Sequence, residues 1–242
     1  MVEMINQKEK KRLLSILIPA YNEEKTIASL LKKVQSVDLS GMNVEKEIVL
    51  VDDGSTDDTV KIAKAFPDIK VIVHDRNRGK GAAIRTGIQK SKGDIIIIQD
   101  ADLEYDPDDY RNLLVPIIER GAKVVYGSRR LKKENKKHSS LAFFLGGVGL
   151  TWLANTLYPG LNITDEPTCY KVFDARLIRS IKLNCNGFEF CPEVTAKLAK
   201  KKIKIVEVPI SYFPRSILDG KKIRWIDGLV AIWTLIKHRF TD

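Results

Sequence analysis

Short apolar runs rich in β-branched residues recur along the first half of the chain, at positions 13–18, 47–51, 69–73 and 94–98. Stretches with helical spacing lie between them, at 24–37, 57–66 and 79–91, and a further unit adds a helix over 107–120 and a strand over 123–126. Regular alternation of strand and helix, with strands as solidly apolar as Ile95-Ile96-Ile97-Ile98, predicts an α/β fold. Its central sheet is expected to be mostly parallel and Rossmann-like, with helices on both faces. Ligands of such sheets bind at the carboxyl ends of the strands. Polar clusters fall there: Tyr21-Asn22-Glu23, Asp52-Asp53-Gly54-Ser55 and Asp100-Ala101-Asp102 each follow a predicted strand. Three loops are therefore expected to converge on one crevice.

Beyond position 128 the pattern changes. A basic stretch at 129–138 precedes 26 residues, 139–164, without a single Asp, Glu, Lys or Arg. That interval is long enough to cross a bilayer at roughly 20 residues. Gly146, Gly147, Gly149, Asn155 and Pro159 interrupt it, and its best apolar part, 141–154, is too short. The pattern predicts a helix lying in a membrane interface, with a buried core helix as the alternative. A last helix over 223–240 places Ile226, Leu229, Val230, Trp233, Ile236 and Phe240 on one side, and Arg224, Asp227, Thr234 and His238 on the other. Its apolar side fits either the core or lipid.

The length of 242 residues suits one domain: a flexible tail at 1–12, a ligand-binding half at 13–128, and an acceptor-binding, membrane-facing half at 129–242. Forty-one Lys and Arg against 31 Asp and Glu leave a charge of +10, which suits phosphates, nucleic acid or an anionic membrane surface. Six acids and no base within 100–109 argue against nucleic acid. Three scattered cysteines and three histidines form no zinc pattern or secreted disulfide framework. The polar N-terminus lacks a signal-peptide stretch, so the expected location is cytoplasmic.

Asp100 and Asp102 are expected to leave one strand end together, and such paired carboxylates repel unless a hard cation lies between them. Mg²⁺ or Mn²⁺ bound through oxygen ligands and substrate phosphate is the expectation. Asp106, Asp108 and Asp109 around Pro107 read instead as helix caps. Asn77-Arg78-Gly79-Lys80-Gly81 opens a helix whose N-terminus, with Lys80, suits phosphate. The spacing is not that of a P-loop.

Four segments in order, 18–24, 51–57, 77–81 and 99–104, resemble the signature of family-2, GT-A-type glycosyltransferases. Gly127-Ser128-Arg129, 165–173 and 209–225 more loosely resemble the branch that makes polyprenyl-phosphate sugars, including dolichyl-phosphate mannosyl- and glucosyltransferases. The resemblance implies an inverting hexosyltransferase using a nucleotide sugar of the GDP-mannose or UDP-glucose class and a polyprenyl or dolichyl phosphate. It would act as a peripheral protein on the cytosolic membrane face. Pro19, Tyr21 and Glu23 would hold the nucleoside, Asp52 the base or ribose, and Lys80 and Ala101 would line the same site. Asp100, Asp102 and Glu104 would bind the cation, Arg129 would reach phosphate, and Arg215 and Lys221 would close over the donor. A lipid phosphate needs no general base, because its second ionisation near pH 6 already makes it nucleophilic. The alternative is a hydroxyl acceptor on a glycan or glycolipid, which needs a carboxylate base, with Asp165 and Glu189 as the acceptor-side candidates. A sugar-nucleotide-forming nucleotidyltransferase is disfavoured, since Pro19-Ala20-Tyr21-Asn22 stands where its glycine-rich basic loop would be.

Overall fold

A computed structural model describes residues 11–135, 140–215 and 222–241. Seven strands form one sheet: β1 (Arg12–Ala20), β2 (Val44–Asp52), β3 (Ile69–Val73), β4 (Ile95–Ile98), β5 (Val124–Ser128), β6 (Lys171–Asp174) and β7 (Ile205–Pro209). Their order is β3-β2-β1-β4-β6-β5-β7. β1 to β4 pair in parallel, as do β5 and β7, whereas β6 runs antiparallel between β4 and β5. The sheet is the mostly parallel one expected, with an antiparallel member that the alternation pattern did not announce.

Side chains alternate across the sheet with the period of two that extended backbone dictates. Leu14, Ile16, Ile18, Ile95 and Ile97 face one apolar layer, and Leu17, Ile96 and Ile98 face the other. Helices α1 (Ile27–Ser36), α2 (Thr59–Lys64) and α4 (Tyr110–Arg120) cover the first layer. In α1, Ile27, Leu30, Leu31 and Val34 form the buried stripe at i, i+3, i+4, i+7. Helices α3 (Lys80–Lys90), α6 (Ala175–Ser180) and α7 (Phe190–Lys200) cover the second.

A third apolar cluster joins α7 to α5 (Leu141–Leu157) and α8 (Trp225–Phe240). Only Leu150, Thr151 and Ala154 of α5 are buried. The first half of the helix is thus largely exposed while its second half packs in the cluster, so 139–164 is not a fully buried core helix, and no described helix is long and apolar enough to cross a membrane. α8 has the opposite orientation to an ordinary surface helix. Ala231, Thr234, Leu235 and His238 are buried, while Trp225, Ile226, Leu229, Val230, Trp233 and Phe240 are exposed.

Candidate active site

The carboxyl ends of β1, β2 and β4 bring the three polar loops together, as their placement after the strands requires. The first two are laced to each other. Asn22, in the left-handed region at φ 49°, accepts Thr56 N–H at 2.8 Å through Oδ1, and Glu23 N–H donates to Thr59 Oγ1 at 2.8 Å. Next to them Gly79 is in the left-handed region at φ 95°, and a Cβ there would run into the carbonyl of Asn186. The glycine thus lets α3 begin against the 185–187 loop with its N-terminus toward the crevice.

A cavity of about 490 Å³ opens at this edge, lined by Pro19, Tyr21, Glu23, Lys80, Asp100, Ala101, Asp102, Glu104, Arg129 and Arg215. These are ten of the eleven residues expected for the donor and cation that fall within the described part of the chain. The eleventh, Asp52, does not line it. It is fully buried at the end of β2, where its carboxylate accepts Gly54 and Ser55 N–H at 3.1 and 2.9 Å and bonds Ser55 Oγ. Its neighbour Asp53 lines the cavity instead. Asp53 is held there by His74 Nδ1 at 2.7 Å and by the N–H groups of Arg78 and Gly79. Lys221 lies outside the described residues. Lys222 donates to Glu23 Oε1 at 2.6 Å and to the Tyr21 carbonyl.

The charges of the cavity are interlocked. Lys80 Nζ is 2.6 Å from Asp100 Oδ1, and despite burial Asp100 holds the lysine well above its ordinary pKa. Arg215 spans Glu23, at 3.2 Å from both oxygens, and Asp102 Oδ2 at 3.5 Å. Against the effect of burial, hydrogen bonds from Arg215 and Lys222 keep Glu23 below its ordinary pKa. For Asp102 the compensation falls short: burial, then Asp100 and Glu104, outweigh Lys80 and Arg215 and push it up to about 7. Glu104 anchors the segment before the last helix, accepting Tyr212 OH at 3.0 Å and Arg215 N–H at 2.8 Å.

The two acceptor-side carboxylates are both engaged. Asp165 is fully buried and takes Arg129 Nε at 2.7 Å, Nη2 at 2.6 Å and the backbone N–H at 3.0 Å. Against burial, Arg129 holds its carboxyl below the usual range. In this pairing the carboxylate orients the guanidinium and is itself engaged. Glu189 Oε1 accepts the N–H groups of Asn186 and Gly187 at 3.1 and 3.0 Å, and the residue lines neither cavity described here. Breaking a buried pair from one side leaves an uncompensated charge. Asp165→Ala is therefore expected to lower the unfolding free energy in urea by about 3–5 kcal/mol. Glu189→Ala, at a half-buried turn, is expected to lower it by about 1 kcal/mol. Equal losses would refute the pairing.

A second cavity, about 820 Å³, opens between α5 and α8 and meets the first at Arg129, Pro167, Cys169, Phe188 and Tyr212. Arg130, Lys132 and Lys133 line it together with Phe143, Phe144, Leu150 and Leu229. A cationic throat that broadens into apolar walls suits a phosphate carrying a hydrocarbon chain. Sequence reasoning overlooked Asp53, Phe188 and Lys222 as site residues. The first and last stand beside residues that it selected, and no motif marked Phe188.

Residues 15–184 match the profile of Glycosyl transferase family 2. The chain is 31% identical over 235 residues to UDP-N-acetylglucosamine--dolichyl-phosphate N-acetylglucosaminyltransferase of Methanococcus voltae, covering 88% of this chain and 91% of that protein. It is 29% identical over 232 residues to dolichol-phosphate mannosyltransferase of Pyrococcus furiosus, covering 92% of this chain and 63% of that protein. Among solved structures, glucosyl-3-phosphoglycerate synthase from Mycobacterium tuberculosis, in complex with Mn²⁺, uridine diphosphate and phosphoglyceric acid, superposes with a TM-score of 0.72. It has 20% sequence identity, and the match covers 96% of this chain and 80% of that one. This likeness is one of fold.

Proposed function

Because the chain belongs to glycosyl transferase family 2, a family of glycosyltransferases, we propose that it moves a hexose from a nucleotide sugar to a polyprenyl phosphate at a membrane surface, with inversion at the anomeric carbon. The observation that carries this reading is the meeting of an acid-rich cavity with a cationic, apolar-walled one at Arg129. The relatives named for dolichyl-phosphate sugar transfer support the lipid-phosphate class.

Asp100 and Asp102 fit a divalent cation. Both are carboxylates at one strand end, and Asp102 is pushed up to about 7 even with Lys80 and Arg215 nearby, a surplus of negative charge that a cation would offset. When bound, Mg²⁺ or Mn²⁺ supplies neutralisation of the departing diphosphate. Lys80 and the start of α3 hold the phosphates, while Tyr21 and Asp53 face the nucleoside. Arg215 and Lys222, which close on Glu23, are placed to exchange their carboxylate contacts for donor phosphate. Arg129, aimed by Asp165, holds the acceptor phosphate in line behind the anomeric carbon. The phosphate oxygen attacks there and the sugar–diphosphate bond breaks on the opposite side. A doubly ionised phosphate monoester carries no proton on the attacking oxygen, so the engagement of Asp165 and Glu189 leaves this route intact. The same engagement weighs against these two as bases for a hydroxyl acceptor.

Incubating the protein and Mg²⁺ with polyprenyl phosphate and a panel of radiolabelled nucleotide sugars tests the proposal. Label from at least one donor is expected to enter the organic phase as an acid-labile lipid-linked sugar. Transfer to hydroxyl acceptors alone would refute it.

A further inference from the structure

Two thiols that the transfer reaction does not use lie where the two cavities join. Cys169, just before β6, and Cys191, in the first turn of α7, place their sulfurs 3.9 Å apart. Cys169 lines both cavities and Cys191 lines the second. The Cys169 sulfur also accepts Lys80 Nζ at 3.1 Å, and Lys80 holds Asp100. Cys191 Sγ has a further contact with the Thr168 carbonyl at 3.5 Å. The third cysteine, Cys185, is half-buried outside both cavities.

The arrangement is that of a vicinal dithiol with access from solvent. A disulfide requires its sulfurs at about 2.0 Å, so the pair must close by roughly 2 Å, within reach of side-chain rotation plus a small backbone shift. Lys80 and Lys171 favour the thiolate that oxidation needs. The hydrogen bond from Cys169 holds the Cys191 thiol below its ordinary pKa against burial. Such a bond would tie the segment before β6 to α7 at the cavity junction. It would also draw the Cys169 sulfur away from Lys80.

We propose that Cys169 and Cys191 form an oxidative modification site that a peroxide closes into a disulfide, arresting sugar transfer until a thiol reductant reopens it. One thiolate attacks a peroxide oxygen and the O–O bond breaks, leaving a sulfenic acid and one water from hydrogen peroxide. The second sulfur then attacks the sulfenic sulfur, the S–O bond breaks, and a second water departs. The two thiols lose two electrons and two protons in total, and the peroxide takes them. Formation of the bond does not depend on which group the protein transfers. Its effect on turnover rests on the proposed function.

The test treats the full chain with hydrogen peroxide, alkylates the remaining thiols and maps the peptides by mass spectrometry. A Cys169–Cys191 cross-link is expected, with Cys185 still alkylated, and transfer to polyprenyl phosphate should fall on the order of tenfold and return with dithiothreitol. Cys191→Ser, compared with its own untreated rate, should show no dithiothreitol-reversible loss, whereas Cys185→Ser should respond like the parent. Absence of the cross-link, or its formation without loss of transfer, would overturn the proposal. The mapping uses the parent protein, so it decides the bond even if the Cys191 variant does not fold. A cross-link in protein that transfers no sugar would support the modification site and refute the proposed function.

Discussion

Asp102→Asn is expected to lower sugar transfer on the order of 10²–10³-fold, the size seen when one group aimed at developing charge is removed from a closed site. The substitution keeps the shape at the strand end and removes a charge that is already poorly tolerated, so thermal stability without metal is expected to hold or rise. On the proposed assignment, proton and cation compete for this carboxylate. Its folded pKa, about 7, is above the ordinary 3.8. The metal-free protein therefore binds more protons folded than unfolded in that interval, and this contribution to stability is lost as pH rises from about 4 through 7. Mn²⁺ has the opposite dependence: below pH 7 its apparent affinity should fall about tenfold per pH unit as the proton displaces it. Melting curves with and without Mn²⁺ at pH 5.5 and pH 8 check this. A large stabilisation at pH 8, a small one at pH 5.5, and none at either pH for Asp102→Asn are expected. An equal Mn²⁺ shift in parent and variant would refute the assignment.

Much of this site can be read from sequence because strand ends are easy to find. A run such as Ile95–Ile98 has no fate other than a central strand, and the acids that follow must emerge at its carboxyl edge. Which of two adjacent acids points into the crevice is harder to read. Asp52 is the last paired residue of β2, opposite Ala20 and Val73, and its carboxylate turns back to cap the loop, so Asp53 takes the cavity. The spacing of Asp165 and Glu189 carried no sign that one would be paired by Arg129 and the other would close a turn. In α8 two stripes have equally good helical periodicity. Ala231, Thr234, Leu235 and His238 are the buried stripe, with the small Ala231 and Thr234 allowing close approach, and Tyr158 OH reaches the Leu235 carbonyl at 2.8 Å. Periodicity identifies the more apolar stripe and says nothing of which stripe a neighbour covers. β6 escaped notice for a related reason. Its four residues, Lys171–Asp174, include a buried lysine over the Tyr126 ring, which breaks the apolar pattern of its sheet neighbours.

The same inversion leads to the second large effect: replacing Trp152, Trp225 and Trp233 together by Ser is expected to weaken binding to lipid vesicles on the order of a hundredfold or more. These indoles are 67%, 76% and 63% exposed on α5 and α8, among exposed Leu141, Leu145, Ile226, Leu229 and Phe240. A contiguous apolar face of this kind marks a contact surface, and indole rings favour the headgroup boundary. Immersion of each ring should contribute about 1–2 kcal/mol at roughly 25 cal/mol per Å². Phe143 and Phe144, by contrast, are half-buried along the second cavity, so their loss should impair acceptor use more than attachment. Lys132 and Lys133 stand near the cavity mouth, while Lys136 and Lys137 lie outside the described residues. Each cation near an anionic surface adds on the order of 1 kcal/mol, which salt screens. Vesicles containing phosphatidylglycerol should thus bind the parent more tightly than pure phosphatidylcholine, and salt should narrow that gap without abolishing binding. Because the three indoles already face outward, the triple variant should melt close to the parent. A variant that binds vesicles as the parent does would remove the membrane surface from the proposed function. A soluble phosphate would then be the acceptor that best fits Arg129.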